Sequence, residues 1–469
     1  MPEAAEPMFE HKELYPPEAA ESHLGVILTG QGDRSLYDSV CQCNRCGYCE
    51  QACPTYRIAG LEGENGRGRN QLIRMAMTRR LKPEDNRREV QALLKNCLLC
   101  GACENVCYTA VKTPLHVWEG LRSFGIERFP SGIKSFFKKL SLDRYSARTS
   151  VLFCNTLRVL GAMPGVGKIF RPEMAGMLMG RPRFKFLNSY LRENRLLKEA
   201  EGKTPACVYF PSCGEEYLYP EAATAAIYLL DTLAGPVKVL DGLCCGFYSF
   251  MSGDAETARL ALSRVIDRYY ELCGDDLKPL VCSCSDCAGF LRSAEQLFSG
   301  EDVMRSRAAR FARHVQEVSE FISSDLLEQN IRDRAAAAQD GGAGVKIAGS
   351  SIAMHYAAGI GKFPAASAAL ENILRRTFGD AYRAVPEPAM PDGSYGAYPY
   401  VNSGFATRLL KRKVGNMASV QTALAVTSSA AETGWLAGGF KNYYPSAHAV
   451  HYCVLLKAVI EGNKNVQCF

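Results

Sequence analysis

Two copies of one cysteine spacing dominate this chain: Cys43-x-x-Cys46-x-x-Cys49-x-x-x-Cys53, followed by Pro54, and Cys97-x-x-Cys100-x-x-Cys103-x-x-x-Cys107. With 20 cysteines in 469 residues, three more at fixed offsets from any start arise by chance with a probability on the order of 10⁻⁴. Two such runs close together are not accidental. Three thiolates separated by two residues wrap one face of a [4Fe-4S] cubane, and the fourth iron corner is left to a cysteine from elsewhere. In paired sites that fourth cysteine comes from the other run. The spacing therefore predicts one cluster on Cys43, Cys46, Cys49 and Cys107, and a second on Cys97, Cys100, Cys103 and Cys53. Zinc is the alternative, but its sites are usually closed by ligands arranged in pairs. Tyr108 stands where a proline usually follows the fourth cysteine; the change removes no ligand. Cys41 is an extra thiol beside the first run and reads as unligated.

So many cysteines have to be weighed against the compartment. Residues Met1 to Tyr15 are acidic and lack the positive-then-apolar pattern of a secretory signal. The expectation is a reducing cytoplasm, where clustered cysteines are metal ligands or catalytic groups more often than disulfides. The apolar stretches near Ser150 to Val166 and Ala447 to Ile460 are interrupted by Arg158 and Lys457, so any membrane contact is expected to be peripheral, on the cytoplasmic side and through partners. The formal net charge of +6 is spread along the chain without a polybasic run, and nucleic acid is not an expected partner.

Organisation follows from where the grammar of the sequence changes. Residues 1–40 read as an extended polar segment, 41–115 as the helical ferredoxin-like domain with both cysteine runs, and 116–204 as a helical connector. Between the runs, Asn65-Gly66-Arg67-Gly68-Arg69 opens an amphipathic helix. Its arginines either balance anionic clusters, dock a partner, or simply begin a solvated helix. From Ala206 the pattern alternates: strands at Cys207–Phe210, Val237–Leu240 and Pro279–Cys282, with helices at Pro220–Leu233 and Ala255–Leu272. Such alternation predicts parallel strands joined by crossover helices. After a linker at Arg334–Gly344 it restarts, with strands at Val345–Gly349, Tyr382–Val385 and Leu424–Thr427 and a helix at Ala365–Phe378. The predicted fold class is thus α/β with an N-terminal α-helical ferredoxin-type domain. Two tandem α/β modules with parallel strands follow, at 205–333 and 334–469.

Five further cysteines lie just past the three strands of the first module: Cys213, then Cys244-Cys245-Gly246, then Cys284-x-x-Cys287. They are expected to converge at the carboxyl ends of the strands, the crevice where open α/β sheets hold ligands. Zinc, or a thiol cluster without metal, is the alternative reading, and Cys282 reads as a buried strand-end thiol. The segments Phe210-Pro211-Ser212-Cys213, Cys244-Cys245-Gly246 and Cys284-Ser285-Asp286-Cys287 resemble the cysteine-rich CCG domain of heterodisulfide reductases and of the iron–sulfur subunits of glycolate, lactate and glycerol-3-phosphate dehydrogenases. That resemblance implies that Cys213, Cys244, Cys245, Cys284 and Cys287 hold a third cluster, a noncubane [4Fe-4S].

The second module departs from the pattern. The sequence reads His355-Tyr356-Ala357-Ala358 where the family has His-Asp-Pro-Cys, Asn402-Ser403-Gly404 is taken to replace Cys-Cys-Gly, and Ser429 to Glu432 replaces the last cysteine pair. The module is expected to keep the CCG-type fold and lack its cysteines, with His355 in a structural role or beside a quinone or partner pocket. The order of parts is most similar to iron–sulfur subunits of glycolate or lactate oxidising complexes. No Gly-x-Gly-x-x-Gly follows a strand, so no flavin is expected in this chain. The expected partner is an FAD-containing dehydrogenase or electron-transfer flavoprotein, and the expected acceptor a quinone or membrane-associated carrier. Two alternatives remain open at this point: a heterodisulfide-reductase-like catalytic subunit, and a docking or relay subunit of a larger flavin-based, bifurcating complex.

Overall fold

The computed structural model describes residues 22–161, 186–193, 204–322, 326–327, 329–330, 345–346, 350–356, 358, 364–466 and 468. Most of the 1–40 segment, part of the connector and the Arg334–Gly344 linker lie outside the described residues. The described chain forms two compact units: Met1–Arg128 with Phe298–Arg305, and Phe129–Leu297 with Ser306–Phe469. The stretch expected as a connector is divided between them. Its helix Thr113–Ser123 belongs to the first unit and its helix Ser131–Leu142 to the second.

The first unit begins with an antiparallel hairpin, β1 (Ile27–Thr29) and β2 (Gly32–Arg34), so the end of the segment expected to be extended is in fact paired. Ser35 then caps the helix Leu36–Cys41. A buried polar knot ties that helix to Gly66–Met77 and Thr113–Ser123. His116 contacts Ser39 Oγ at 2.6 Å and Asn70 Oδ1 at 2.8 Å, and Asn70 Nδ2 donates to Thr113 Oγ1 at 2.9 Å. Burial holds the His116 pKa down to about 3, so the ring is neutral. It donates from Nδ1 to the Asn70 carbonyl oxygen and accepts the Ser39 hydroxyl at Nε2.

The second unit holds two parallel sheets. In the first, the spatial order is β4 (Val237–Val239), β3 (Cys207–Tyr209), β5 (Leu280–Cys282) and β6 (Val315–Glu317). In the second it is β10 (His448–His451), β9 (Leu424–Thr427) and β8 (Ile352–Met354). Strands β3, β5, β8 and β9 are buried throughout, as expected when helices cover both faces of a parallel sheet.

Two strand expectations need correction. Val345–Gly349 does not open the second sheet. Of its described residues, β7 (Val345–Lys346) pairs antiparallel with β11 (Asn465–Val466), and the parallel strand is β8 further on; 347–349 lie outside the described residues. The Ile-Ala-Met run of β8 is buried throughout. Tyr382–Val385 contributes a single bridge, Tyr382 to Ile352; Pro386 and Pro388 remove the donors that would extend a ladder.

Glu317 in β6 joins the two sheets. It accepts the Tyr452 hydroxyl at 2.5 Å and the Ser319 N–H at 2.7 Å, and burial raises its pKa from 4.5 to about 7. A carboxyl raised on folding contributes stability that is complete below its unfolded pKa and lost as pH rises through its folded value. Between pH 4.5 and about 7, Glu317 is expected to withdraw on the order of 3 kcal/mol. Urea midpoints of the wild type should fall over this window relative to Glu317→Gln, and parallel profiles would contradict the assignment.

Candidate functional sites

In the first unit the two cysteine runs share one backbone course. Arg45 and Leu99, each immediately before the second cysteine of its run, have φ of 58° and 61°; Gly47 and Gly101, each immediately after it, have φ of 88° and 79°. Left-handed backbone at a non-glycine residue is unfavourable. Its recurrence at matching positions means that both loops are wound to turn three thiols inward.

Cys53 lies with the second run. Cys53, Cys97, Cys100, Gly101 and Cys103 line one small cavity with Gly66, and burial followed by the charges of Cys97, Cys53 and Cys100 raises Cys103 well above the usual thiol value. The geometry around Cys107 is less compact: its Sγ is near Thr109 Oγ1 at 3.3 Å, while Tyr108 accepts a 2.6 Å hydrogen bond from Asn44 in the first loop. Cys41 is exposed, and its thiol raises the Tyr37 hydroxyl through a hydrogen bond.

Gly66 provides a test of fit. A Cβ placed there would stand 3.1 Å from Cys103 Cβ and 3.5 Å from the sulfurs of both Cys103 and Cys49. The two thiol sets therefore meet at one residue where even a Cβ is crowded. Thiols from both runs meeting at this point suit thiophilic iron far better than a hard cation.

The arginines that follow have separate roles. Arg67 pairs at the surface with Glu50 and with Glu62 at 2.9 Å. Arg69 is 1% exposed. It pairs with Glu64 at 2.6 Å, donates to Leu93 O at 2.8 Å and Thr55 Oγ1 at 3.2 Å, and lies 3.8 Å from Cys53 Sγ. Only Arg67 fits the solvated reading.

In the second unit all five expected cysteines converge. Cys213 opens the helix Cys213–Tyr217 behind a Ser212/Glu215 capping box, Gly246 (φ 88°) turns Cys244 and Cys245 into the helix Phe247–Met251, and Cys284 caps Ser285–Arg292. Cys245 and Cys287 sulfurs are 3.4 Å apart. So many thiols cannot ionise together in a dry site. Hydrogen bonds from Cys213 and Cys245 pull Cys244 well below the usual thiol range, while bonds to neighbouring thiols push Cys213, Cys245 and Cys287 well above it. A cationic metal centre resolves that conflict by taking every sulfur as thiolate. Cys282 is fully buried in β5, where desolvation raises its thiol.

The second sheet presents a parallel arrangement in which the sequence correspondence slips. Asn402 is not the counterpart of the Cys-Cys-Gly turn. It caps the helix Ser403–Ser419, as Asp254 caps Ala255–Cys273. The matching turn is Pro391-Asp392-Gly393. Gly393 has φ 90°, and its Cβ position would meet Ala406 O at 2.7 Å; Gly246 has φ 88°, and its Cβ position would meet Ala258 O at 2.9 Å. Asp392 thus occupies the place of Cys245. His355 donates its backbone N–H to Val426 O as Phe210 does to Val281 O. Ser429 and Glu432 take the places of Cys284 and Cys287 at the start of Ala430–Tyr443.

Comparison with known proteins finds two domain matches over these regions. Residues 39–111 match the 4Fe-4S dicluster domain, and 207–292 the cysteine-rich domain. The glycolate oxidase iron–sulfur subunit of Escherichia coli (strain K12) is 22% identical over 395 residues, covering 82% of this chain and 87% of that protein. A probable glycolate oxidase iron–sulfur subunit of Bacillus subtilis (strain 168) is 26% identical over 303 residues, covering 61% and 65%. A shorter match, 29% over 113 residues and covering 21% and 27%, is to a dihydromethanophenazine:CoB--CoM heterodisulfide reductase subunit of Methanosarcina acetivorans. No helix among the described residues is long and apolar enough to cross a membrane. This chain is an iron–sulfur protein with a 4Fe-4S dicluster domain and a cysteine-rich domain, related to the iron–sulfur subunits of glycolate oxidase.

Proposed function

We propose that this chain is the electron-transfer subunit of a flavoprotein dehydrogenase acting on a 2-hydroxy acid, delivering electrons to a quinone or other acceptor. Cys43, Cys46, Cys49 and Cys107 would hold one cubane, Cys97, Cys100, Cys103 and Cys53 the other, and Cys213, Cys244, Cys245, Cys284 and Cys287 a noncubane [4Fe-4S]. The two parallel sheets are read as tandem copies of one module, the second without its cysteines. Clusters at these sites would supply one-electron storage and relay.

The observation that carries the reading is Gly66, whose Cβ position would stand 3.5 Å from a sulfur of each N-terminal set, which brings the two sets close together. Around them the protein's own residues shape access. Cys46 is exposed, with Tyr48, Val106 and Tyr108 also exposed, whereas Cys53, Cys97 and Cys100 are buried. The first set is accordingly the face offered to a redox partner, and the second the shielded step behind it.

The purified chain is expected to carry about 12 irons, as three four-iron centres. It should not oxidise glycolate or lactate with an artificial acceptor until a flavoprotein dehydrogenase is added, when its clusters become reduced by substrate. Turnover by the isolated chain would overturn the division of labour. A second reading, catalytic disulfide reduction, is favoured by one feature: a narrow cleft lined by Ser141, Cys213, Glu216, Cys244 and Arg264 reaches the five-cysteine set. Clear disulfide turnover with reduced viologen would support it.

A further inference from the structure

The second sheet has exchanged sulfur for nitrogen and oxygen. His355, Asp392 and Glu432 each offer one ligand atom, and those atoms lie within 4.8 Å of one another. All three side chains are buried, at 0%, 1% and 1% exposure. Asp392, before the left-handed glycine, and Glu432, in the first turn of the helix after the next strand, stand where Cys245 and Cys287 do in the first sheet, while His355 follows its strand at the place of Phe210, three residues before that of Cys213.

Their polar atoms are left open. Both ring nitrogens of His355 and Asp392 Oδ2 have no hydrogen-bond partner among the described residues, and the Glu432 carboxylate, with no partner in ordinary hydrogen-bond geometry, has the Ala358 backbone N–H near it. The His355 Nε2 to Asp392 Oδ2 separation of 3.5 Å is too long for a hydrogen bond. Buried polar atoms are nearly always paired, and so many with open valences gathered at one place point to an occupant. Asp392 is fixed from behind: Ser394 donates to Oδ1 from its N–H at 2.9 Å and its hydroxyl at 2.6 Å, and Trp435 donates to the Asp392 carbonyl at 2.9 Å. Oδ2 is thereby aimed inward. Lys413, also buried, donates to the Glu387 and Pro388 carbonyls at 3.3 and 3.0 Å. Its single positive charge faces Asp392 and Glu432 together, and Asp286 adds a third carboxylate beside Glu432.

We propose that His355, Asp392 and Glu432 bind one divalent first-row transition-metal ion, as one nitrogen and two oxygen donors with positions left for water or a small ligand. One imidazole with two carboxylates suits Mn²⁺, Fe²⁺ or Zn²⁺ rather than an iron–sulfur cluster. The site borders the five-cysteine set, since Ser429 beside it lies 3.8 Å from Cys284 Sγ. It does not depend on the loading of that set or on the electron-transfer reading.

The probe is Mn²⁺, which has little affinity for thiolates. After chelator treatment, the full-length iron-loaded chain is titrated anaerobically and free Mn²⁺ is followed by EPR. About one Mn²⁺ per chain is expected, displaced by Zn²⁺ as the order of divalent affinities requires. Glu432→Gln and Asp392→Asn should each weaken binding at least about ten-fold, a typical loss when a metal's protein environment is disturbed. Cys46→Ser, in the other unit, should leave it unchanged. Added Mn²⁺ should raise the thermal midpoint of the wild type and not that of Glu432→Gln, whose unchanged visible spectrum would show that it folds. The proposal is overturned if neither Mn²⁺ nor Zn²⁺ binds stoichiometrically, or if binding survives both substitutions. Either outcome would mean that a proton, together with Lys413, balances the buried charge.

Discussion

Replacing Gly66 with valine is expected to strip both N-terminal centres while leaving the five-cysteine centre in place. Iron should fall from about 12 to about four per chain, with the EPR signals of the two cubanes lost together. The cause is steric. The first atom of any side chain at Gly66 stands 3.1 Å from Cys103 Cβ and 3.5 Å from two ligand sulfurs, and the two branches of valine reach into the space the clusters need. Gly66→Ala should be milder, because Cys103 can give way by a few tenths of an ångström. Retention of the third centre distinguishes a local block from general misfolding, since Gly66 and the five cysteines belong to different compact units. A valine variant with full iron and unchanged spectra would show that the two thiol sets do not meet at this residue. Gly68 has a different reason for being small: its Cβ position lies 2.2 Å from the Glu62 carbonyl oxygen. The Gly-Arg-Gly-Arg segment is therefore two separate constraints rather than one motif.

The positions of the thiols were legible in the sequence because their spacing is local and their chemistry narrow. Once Cys-x-x-Cys-x-x-Cys is recognised, Gly47 and Gly101 are the residues the winding demands, and Gly246 likewise follows from two adjacent cysteines that share a site. What could not be read was anything decided by tertiary packing. Arg67 and Arg69 lie in one helix start with the same composition, yet one is at the surface and the other is enclosed with Glu64. Nothing in composition marks Asp392: the stretch from Gly393 to the helix cap Asn402 is one residue longer than that from Gly246 to Asp254, and Asn402-Ser403-Gly404 bears the more obvious likeness to Cys-Cys-Gly. Strands β6 and β10 escaped for a related reason: Val-Gln-Glu and His-Ala-Val-His are short and carry polar residues whose burial depends on partners elsewhere, Tyr452 for Glu317 and the Ser283 carbonyl for His451. A glycine with a left-handed turn before a capped helix was the available signal for Asp392. It points to the turn by backbone conformation rather than by composition.

Arg69→Met is expected to lower stability by about 3–5 kcal/mol, the usual result of removing one partner from a buried ion pair. Arg69 and Glu64 are both enclosed, and the guanidinium is used from three sides: Nε on the Leu93 carbonyl, Nη1 on Thr55 and Nη2 on the Glu64 carboxylate. Methionine fills part of the volume but leaves Glu64 charged, with the Asn96 amide at 2.5 Å as one remaining donor. Lysine should rescue little, because a single ammonium cannot reproduce a planar fork with donors in three directions. The loss should also reach the metal centre. Cys53 Sγ lies 3.2 Å from Thr55 Oγ1 and from the Glu64 carbonyl, inside the same network, so the centre assigned to Cys53, Cys97, Cys100 and Cys103 is expected to lose iron first on heating. Arg69→Met combined with Glu64→Leu should recover a large part of the stability, since a buried pair replaced by apolar groups is often neutral, whereas half a pair is not. Thermal midpoints and iron release of the two variants decide the matter. If Arg69→Met melts within about 1 kcal/mol of wild type, the range of an exposed ion pair, the pair is not the buried clamp described here, and Cys53 must be held by its loop alone.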